Sequence, residues 1–133
     1  MERIAVFPGS FDPFTIGHKA IVDKALPLFD KIIIAIGVNS EKNGFFTPEK
    51  RLIYISDIYK DNPRIEVKTY SSLTVEFCKE NNAKFIVRGL RNTTDFQYEK
   101  TIAQMIRQVS GIATIFLVTP PEYGHISSSV VRE

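Results

Sequence analysis

Ten residues near the start of the chain, Gly9-Ser10-Phe11-Asp12-Pro13-Phe14-Thr15-Ile16-Gly17-His18, combine the residue types that hold a phosphate. Gly9 and Ser10 make a small, polar turn in which glycine lets backbone approach an anion. Thr15 to His18 read as the entry of a helix, whose free N–H groups favour negative charge. His18 on the first turn adds a donor aimed the same way. The competing reading has Ser10 as a cap and His18 as a surface residue. The coupling of His18 to Gly17, Thr15 and a Gly-Ser turn favours the phosphate role. The segment is neither G-x-G-x-x-G nor a P-loop lysine signature.

Three further segments carry candidates. In Asn39-Ser40-Glu41-Lys42-Asn43-Gly44, Lys42 alone would read as a solvated lysine, but it follows an apolar strand pattern. Arg88-Gly89-Leu90-Arg91-Asn92 puts two arginines around a glycine, and the arginine fork suits phosphate oxygens. Two of them suggest more than one phosphate group. The alternative is a pair of salt bridges with Asp95 and Glu99. Glu99 itself could be an ion-pair partner or could hold a ribose or an amine. Tyr123-Gly124-His125-Ile126-Ser127-Ser128-Ser129 ends in three hydroxyls at a helix start. Capping requires one of them, and a second anion site accounts for the surplus. His125 reads as a loop wall and not as a base.

These segments must be placed by the elements around them. Arg3 to Phe7 reads as a buried strand. Gly17 to Phe29 reads as a helix with apolar residues at three- and four-residue spacing, loosened or ended near Pro27. Lys31 to Gly37 is apolar throughout its centre, as a parallel strand covered on both faces would be. Thr47-Pro48-Glu49 starts a helix running to about Tyr59. Strands are expected at Arg64–Lys68, Lys84–Val87 and Ala113–Val118. Helices are expected at Leu73–Asn81, capped by Ser72, and at Thr94–Ser110, closed by Gly111. A last helix begins at Ser127–Ser129. The order β-α-β-α-β-α-β-α-β predicts a Rossmann-like, doubly wound, five-stranded parallel sheet in one domain. Ligands of such sheets bind at the carboxyl ends of the strands, where the strand order reverses.

Composition agrees with this reading. The chain has 133 residues, 44% apolar and 24% charged, which suits one globular domain. Its 17 basic and 15 acidic residues leave a formal charge of +2, which argues against a nucleic-acid binder or a polybasic membrane anchor. The single cysteine, Cys78, excludes an internal disulfide, and no metal-ligand spacing is present. A missing leader pattern and the lack of a membrane-length apolar run point to a cytoplasmic protein.

GSFDPFTIGH, RGLRNTTDFQYE and ISSSVVRE together resemble the nucleotidylyltransferase superfamily. Within it, the arginine block resembles the phosphopantetheine adenylyltransferases, and the similarity runs through nearly the whole chain. The resemblance implies adenylyl transfer from ATP to 4′-phosphopantetheine with Mg²⁺, giving dephospho-coenzyme A and pyrophosphate, in a homohexamer. It places Ser10 and Phe11 on both ligands and His18 at the ATP α-phosphate as a transition-state stabiliser. Lys42 and Arg88 would hold the acceptor phosphate, and Thr74 would line the pantetheine arm. Gly89, Leu90, Arg91 and Glu99 would bind ATP, and Tyr123, Gly124, His125, Ile126, Ser127, Ser128 and Ser129 would cradle its β- and γ-phosphates. No protein metal site is implied, since Mg²⁺ would ride on the ATP phosphates. Three positions depart from the family pattern: Ser10 stands for threonine, Thr74 for an aliphatic residue and His125 for an aromatic one. The family also continues through more helical sequence beyond residue 133.

The implied chemistry needs no general base. A phosphate monoester has a second pKa of about 6 and is mostly dianionic at neutral pH. Positioning and electrostatic stabilisation of the α-phosphate suffice. Rival readings are the same scaffold with a nicotinate mononucleotide or glycerol-phosphate acceptor, and a non-catalytic nucleotide-sensing module.

Overall fold

Residues 4–8 and 32–36 are runs of apolar side chains that alternate between two buried faces. The structure, a computed structural model, describes residues 2–38, 44–90 and 93–118. Its strands are β1 (Ile4–Gly9), β2 (Lys31–Gly37), β3 (Ile65–Tyr70), β4 (Phe85–Leu90) and β5 (Ala113–Val118). Its helices are α1 (Ile16–Ala25), α2 (Pro48–Ile58), α3 (Thr74–Glu80) and α4 (Thr93–Ser110). The sheet is wholly parallel, in the order β3-β2-β1-β4-β5.

Alternation divides the core in two. Ala5, Phe7, Ile32, Ile34, Ile36, Ile65 and Val87 pack under α1 and α2. Ile4, Val6, Ile33, Ala35 and Ile86 pack under α3 and α4 with Phe77, Cys78 and Ile106. The chain steps one way through β1, β2 and β3, then returns across the sheet to β4 and β5. Helices on opposite faces for opposite steps mean crossovers of one hand, as expected for βαβ units. The expected fold class is thus the observed one. Cys78, on α3, is fully buried in the second of these layers.

Several boundaries differ from the expected ones, each for a local reason. Helix α1 stops at Ala25, and Leu26–Leu28 form a 3₁₀ turn containing Pro27. Arg64 then ties the end of that turn to the sheet by donating to the carbonyls of Leu26, Phe29 and Asp30. Strand β3 runs on to Tyr70 because its ladder with β2 continues to Gly37. Ser72 does not cap α3: Leu73 occupies the N-cap position without a side-chain bond, and the Ser72 hydroxyl donates to the Leu73 carbonyl. Strand β4 does not end at Val87. It pairs with β5 through Leu90, so Arg88, Gly89 and Leu90 are strand residues and not loop residues. Gly111 closes α4 at φ +80°, as expected of a C-terminal glycine.

Candidate active site

The two central strands part company at their carboxyl ends. Strand β1 pairs with β4 only at Ala5–Phe85 and Val6–Ile86, although both strands continue for three or more residues. This opens the crevice expected where strand order reverses. Ser10, α1 and the last residues of β4 stand around it.

Helix α1 begins with a reciprocal cap. The Thr15 hydroxyl accepts from the His18 N–H, and the Thr15 backbone N–H donates to His18 Nδ1 at 2.9 Å. An Nδ1 that accepts a hydrogen bond carries no proton in the neutral ring. The proton is therefore on Nε2, and His18 presents Nε2–H as a donor. Thr15, not Ser10, is the capping residue. The imidazole leans on aromatic rings: its centroid is 5.0 Å from Phe11, nearly perpendicular, and 5.4 Å from Phe14.

The Phe11 ring and Gly9 fit against each other within the fold. The Phe11 side chain is 3% exposed and packs among Phe7, Phe14 and His18. Its ring supports His18 from within the core, leaving only its backbone to face a ligand. Phe11 has φ +48°, a left-handed conformation that costs a non-glycine residue about 1–2 kcal/mol. Gly9 is small because of that ring: a Cβ there would lie 3.0 Å from Phe11. The space a side chain would need at Gly9 is taken by the Phe11 ring.

On β4, Arg88 donates to the Pro8 carbonyl across the crevice at 3.4 Å and pairs with Glu99 of α4 at 3.2 Å. The ion-pair reading of Glu99 is therefore the one seen in this structure, and it links the two residues that the family pattern assigns to different substrates. Pro8, Thr74, Ile86, Arg88, Glu99 and Ile102 are among the residues lining a cavity of about 110 Å³. Thr74 also borders an open depression of about 400 Å³ with Ser10, Gly37, Tyr70 and Leu73. The Thr74 hydroxyl is hydrogen-bonded to Tyr70 Oη at 2.9 Å, which accommodates a polar residue where the family has an aliphatic one. Gly89 is exposed and Leu90 half-buried at the end of the strand. Lys42, Arg91 and Tyr123 to Ser129, including Gly124, His125, Ile126, Ser127 and Ser128, lie outside the described residues.

Two residues not singled out in the sequence stand behind the first loop. Asp12 and Arg51 are 5% and 7% exposed. Asp12 accepts from the Phe45 and Phe46 N–H groups at 2.5 and 2.7 Å. Arg51 donates to the Ser10 and Phe46 carbonyls at 2.7 and 3.1 Å. Tyr70 was also missed. No periodicity marks any of the three, because most of their partners are backbone atoms or residues distant in sequence.

Known proteins share this architecture. The cytidylyltransferase-like family pattern matches residues 6–133. The phosphopantetheine adenylyltransferase of Bacteroides thetaiotaomicron is 53% identical over 98% of this chain and 87% of its own length. That of Christiangramia forsetii is 54% identical over 97% of this chain and 85% of its own. Among solved structures, a bifunctional NMN adenylyltransferase/ADP ribose pyrophosphatase from Francisella tularensis superposes with a TM-score of 0.66 at 22% identity, covering 93% of this chain and 41% of that one. The last likeness is one of fold.

Proposed function

The chain belongs to the phosphopantetheine adenylyltransferases of the cytidylyltransferase-like family, and on that premise we propose how its residues move AMP from ATP to 4′-phosphopantetheine. The observation that supports the reading is the Thr15–His18 cap at the start of α1, which leaves Nε2 as the protonated nitrogen of the neutral ring. The acceptor phosphate is already a dianion and attacks the α-phosphorus in line. A P–O bond forms to the acceptor as the bond to pyrophosphate breaks. His18 donates to the α-phosphoryl oxygen as its charge grows, assisted by Ser10 and the first-turn amides of α1. Lys42 and Arg88 hold the acceptor phosphate, with Arg88 exchanging its Glu99 partner for phosphate oxygens. Thr74 borders the pantetheine arm. Glu99, Gly89, Leu90 and Arg91 contact the nucleotide, and Tyr123 to Ser129 receive the departing phosphates.

Among the described residues, no group of three or more His, Cys, Asp or Glu side chains converges on a metal position. Mg²⁺ in this reading is carried by ATP phosphate oxygens, where it offsets their charge, and no step above runs through a protein-held metal. A cytoplasmic setting and a homohexamer complete the proposal; the assembly rests on the family resemblance.

The test is pyrophosphate release from Mg-ATP and 4′-phosphopantetheine, run on the unaltered chain and on Lys42→Ala. The expected result is turnover that depends on both substrates, and a rise of tenfold or more in the acceptor KM for the variant with ATP KM nearly unchanged. An equal loss for both substrates removes Lys42 from the acceptor site.

A further inference from the structure

Ser10 is exposed, although Phe11, Asp12, Phe14 and Thr15 after it are buried. On one side is the open crevice. On the other, a pocket of about 440 Å³ lies behind Phe11, Pro13 and Phe14, walled by Phe46, Lys50, Arg51 and Tyr54. Between the two, buried hydrogen bonds cross from the loop to the segment leading into α2. Arg51, on the second turn of α2, reaches both the Ser10 carbonyl and the Phe46 carbonyl. Asp12, from the loop, takes the next two amides of that segment, Phe45 and Phe46. Each bond has one charged partner, which shortens and strengthens it. The arrangement closes onto Gly44, where a Cβ would lie 2.8 Å from Asp12 Oδ2 and 3.2 Å from both Arg51 Nη2 and the Phe46 carbonyl.

We propose that Asp12, Gly44 and Arg51 form a brace that sets the position of Ser10 for the transfer reaction, with Arg51 as a positioning residue acting through Ser10. The proposal rests on the reading of Ser10 given above. Burying a carboxylate and a guanidinium is a costly way to gain stability, because both lose water. Apolar side chains would close the same space at lower cost. Two charged groups each bonding to backbone of the same two segments, by contrast, set the spacing of those segments. The brace also holds Phe45 and Phe46, the residues that lead into α2.

The experiment is a double-mutant cycle with Mg-ATP and 4′-phosphopantetheine. Arg51→Met and Gly44→Ala are measured alone and with Ser10→Ala, alongside thermal melting of each protein. Arg51→Met is expected to lower kcat/KM for the acceptor at least tenfold, but less than threefold when Ser10 is already alanine. Gly44→Ala is expected to show the same pattern at smaller amplitude. Since Gly44 is exposed and uncharged, it decides the matter if Arg51→Met does not fold. Unchanged kcat/KM in both folded variants overturns the brace. So does an equal loss in both backgrounds, which marks a purely structural role. If Ser10→Ala alone leaves kcat/KM unchanged, the reading of Ser10 falls and the brace falls with it. If Ser10→Ala is costly and the brace variants are silent, only the brace falls.

Discussion

Thr15 donates its backbone N–H to His18 Nδ1, and that one bond decides which proton the ring can offer. The consequence is testable by amide substitution. His18→Gln places an N–H₂ near the Nε2 position, whereas His18→Asn reaches only as far as Nδ1. His18→Asn should lower kcat by about 10²–10³, the usual loss for one transition-state donor. His18→Gln should recover part of it, with ATP KM similar in both. Equal kcat in the two variants would remove Nε2 from the chemistry. The helix entry at Thr15 to His18 was legible in the sequence because it lies within one helical turn. The packing of the Phe11 ring beside Gly9 carried no signal, because it depends on how the turn folds back on itself. Asp12 and Arg51 carried no signal because they bond to backbone groups 33 to 41 residues away.

At the scale of elements, strand and helix cores were readable and their ends were not. Apolar runs mark where side chains are buried, but a parallel ladder consists of backbone bonds. Strand β4 therefore continues through the polar Arg88 and the side-chain-free Gly89 because β5 lies alongside to Val118. Helix ends depend on φ/ψ as much as on capping chemistry. Leu73 starts α3 without a side-chain cap, whereas Gly111 ends α4 in a conformation that disfavours a Cβ. No atom lies within 4 Å of the Cβ position at Gly111. Gly111→Ala should therefore destabilise the fold by about 1–2 kcal/mol through backbone strain alone. Denaturant unfolding should show a lower midpoint, with the kcat of the folded enzyme unchanged. A stability equal to the parent's would mean that the αL turn is not required.

For the whole molecule, two apolar layers set the pH limits of the fold. Burial pushes the Cys78 thiol up to about 11 from its ordinary 9.0. A folded-state pKa above the unfolded value means that the stabilisation is complete below about pH 9. It is lost as pH rises toward 11, by a total of about 3 kcal/mol. Burial, and then the charge of Asp23, push Tyr59 upward as well. Its hydroxyl has no hydrogen-bond partner among the described residues. Melting temperature should fall steeply between pH 9 and 11. Cys78→Ala should start lower at pH 8 and fall less over that interval. Parallel curves would exclude the thiol as the source. The doubly wound topology was readable in the sequence because each crossover holds a helix-length segment, so few arrangements of the sheet remain.

The parting of β1 and β4 after Val6 and Ile86 also acts as a ruler. Ser10 follows one of these strands and Arg88 lies on the other. Each is held by a strand that stays paired with its outer neighbour, β1 with β2 to Gly9 and β4 with β5 to Leu90. Side chains along the crevice can change what fits between the two marks, while Arg88 keeps its place on β4 and the Ser10 carbonyl is held from behind by Arg51. Substrates that differ in the length or polarity of their tails can thus be accommodated by side-chain exchange alone. A donor and acceptor whose reacting groups required a different offset along the strands would need a new strand register, and a slip of one residue turns the side chains of a whole strand over to the opposite face.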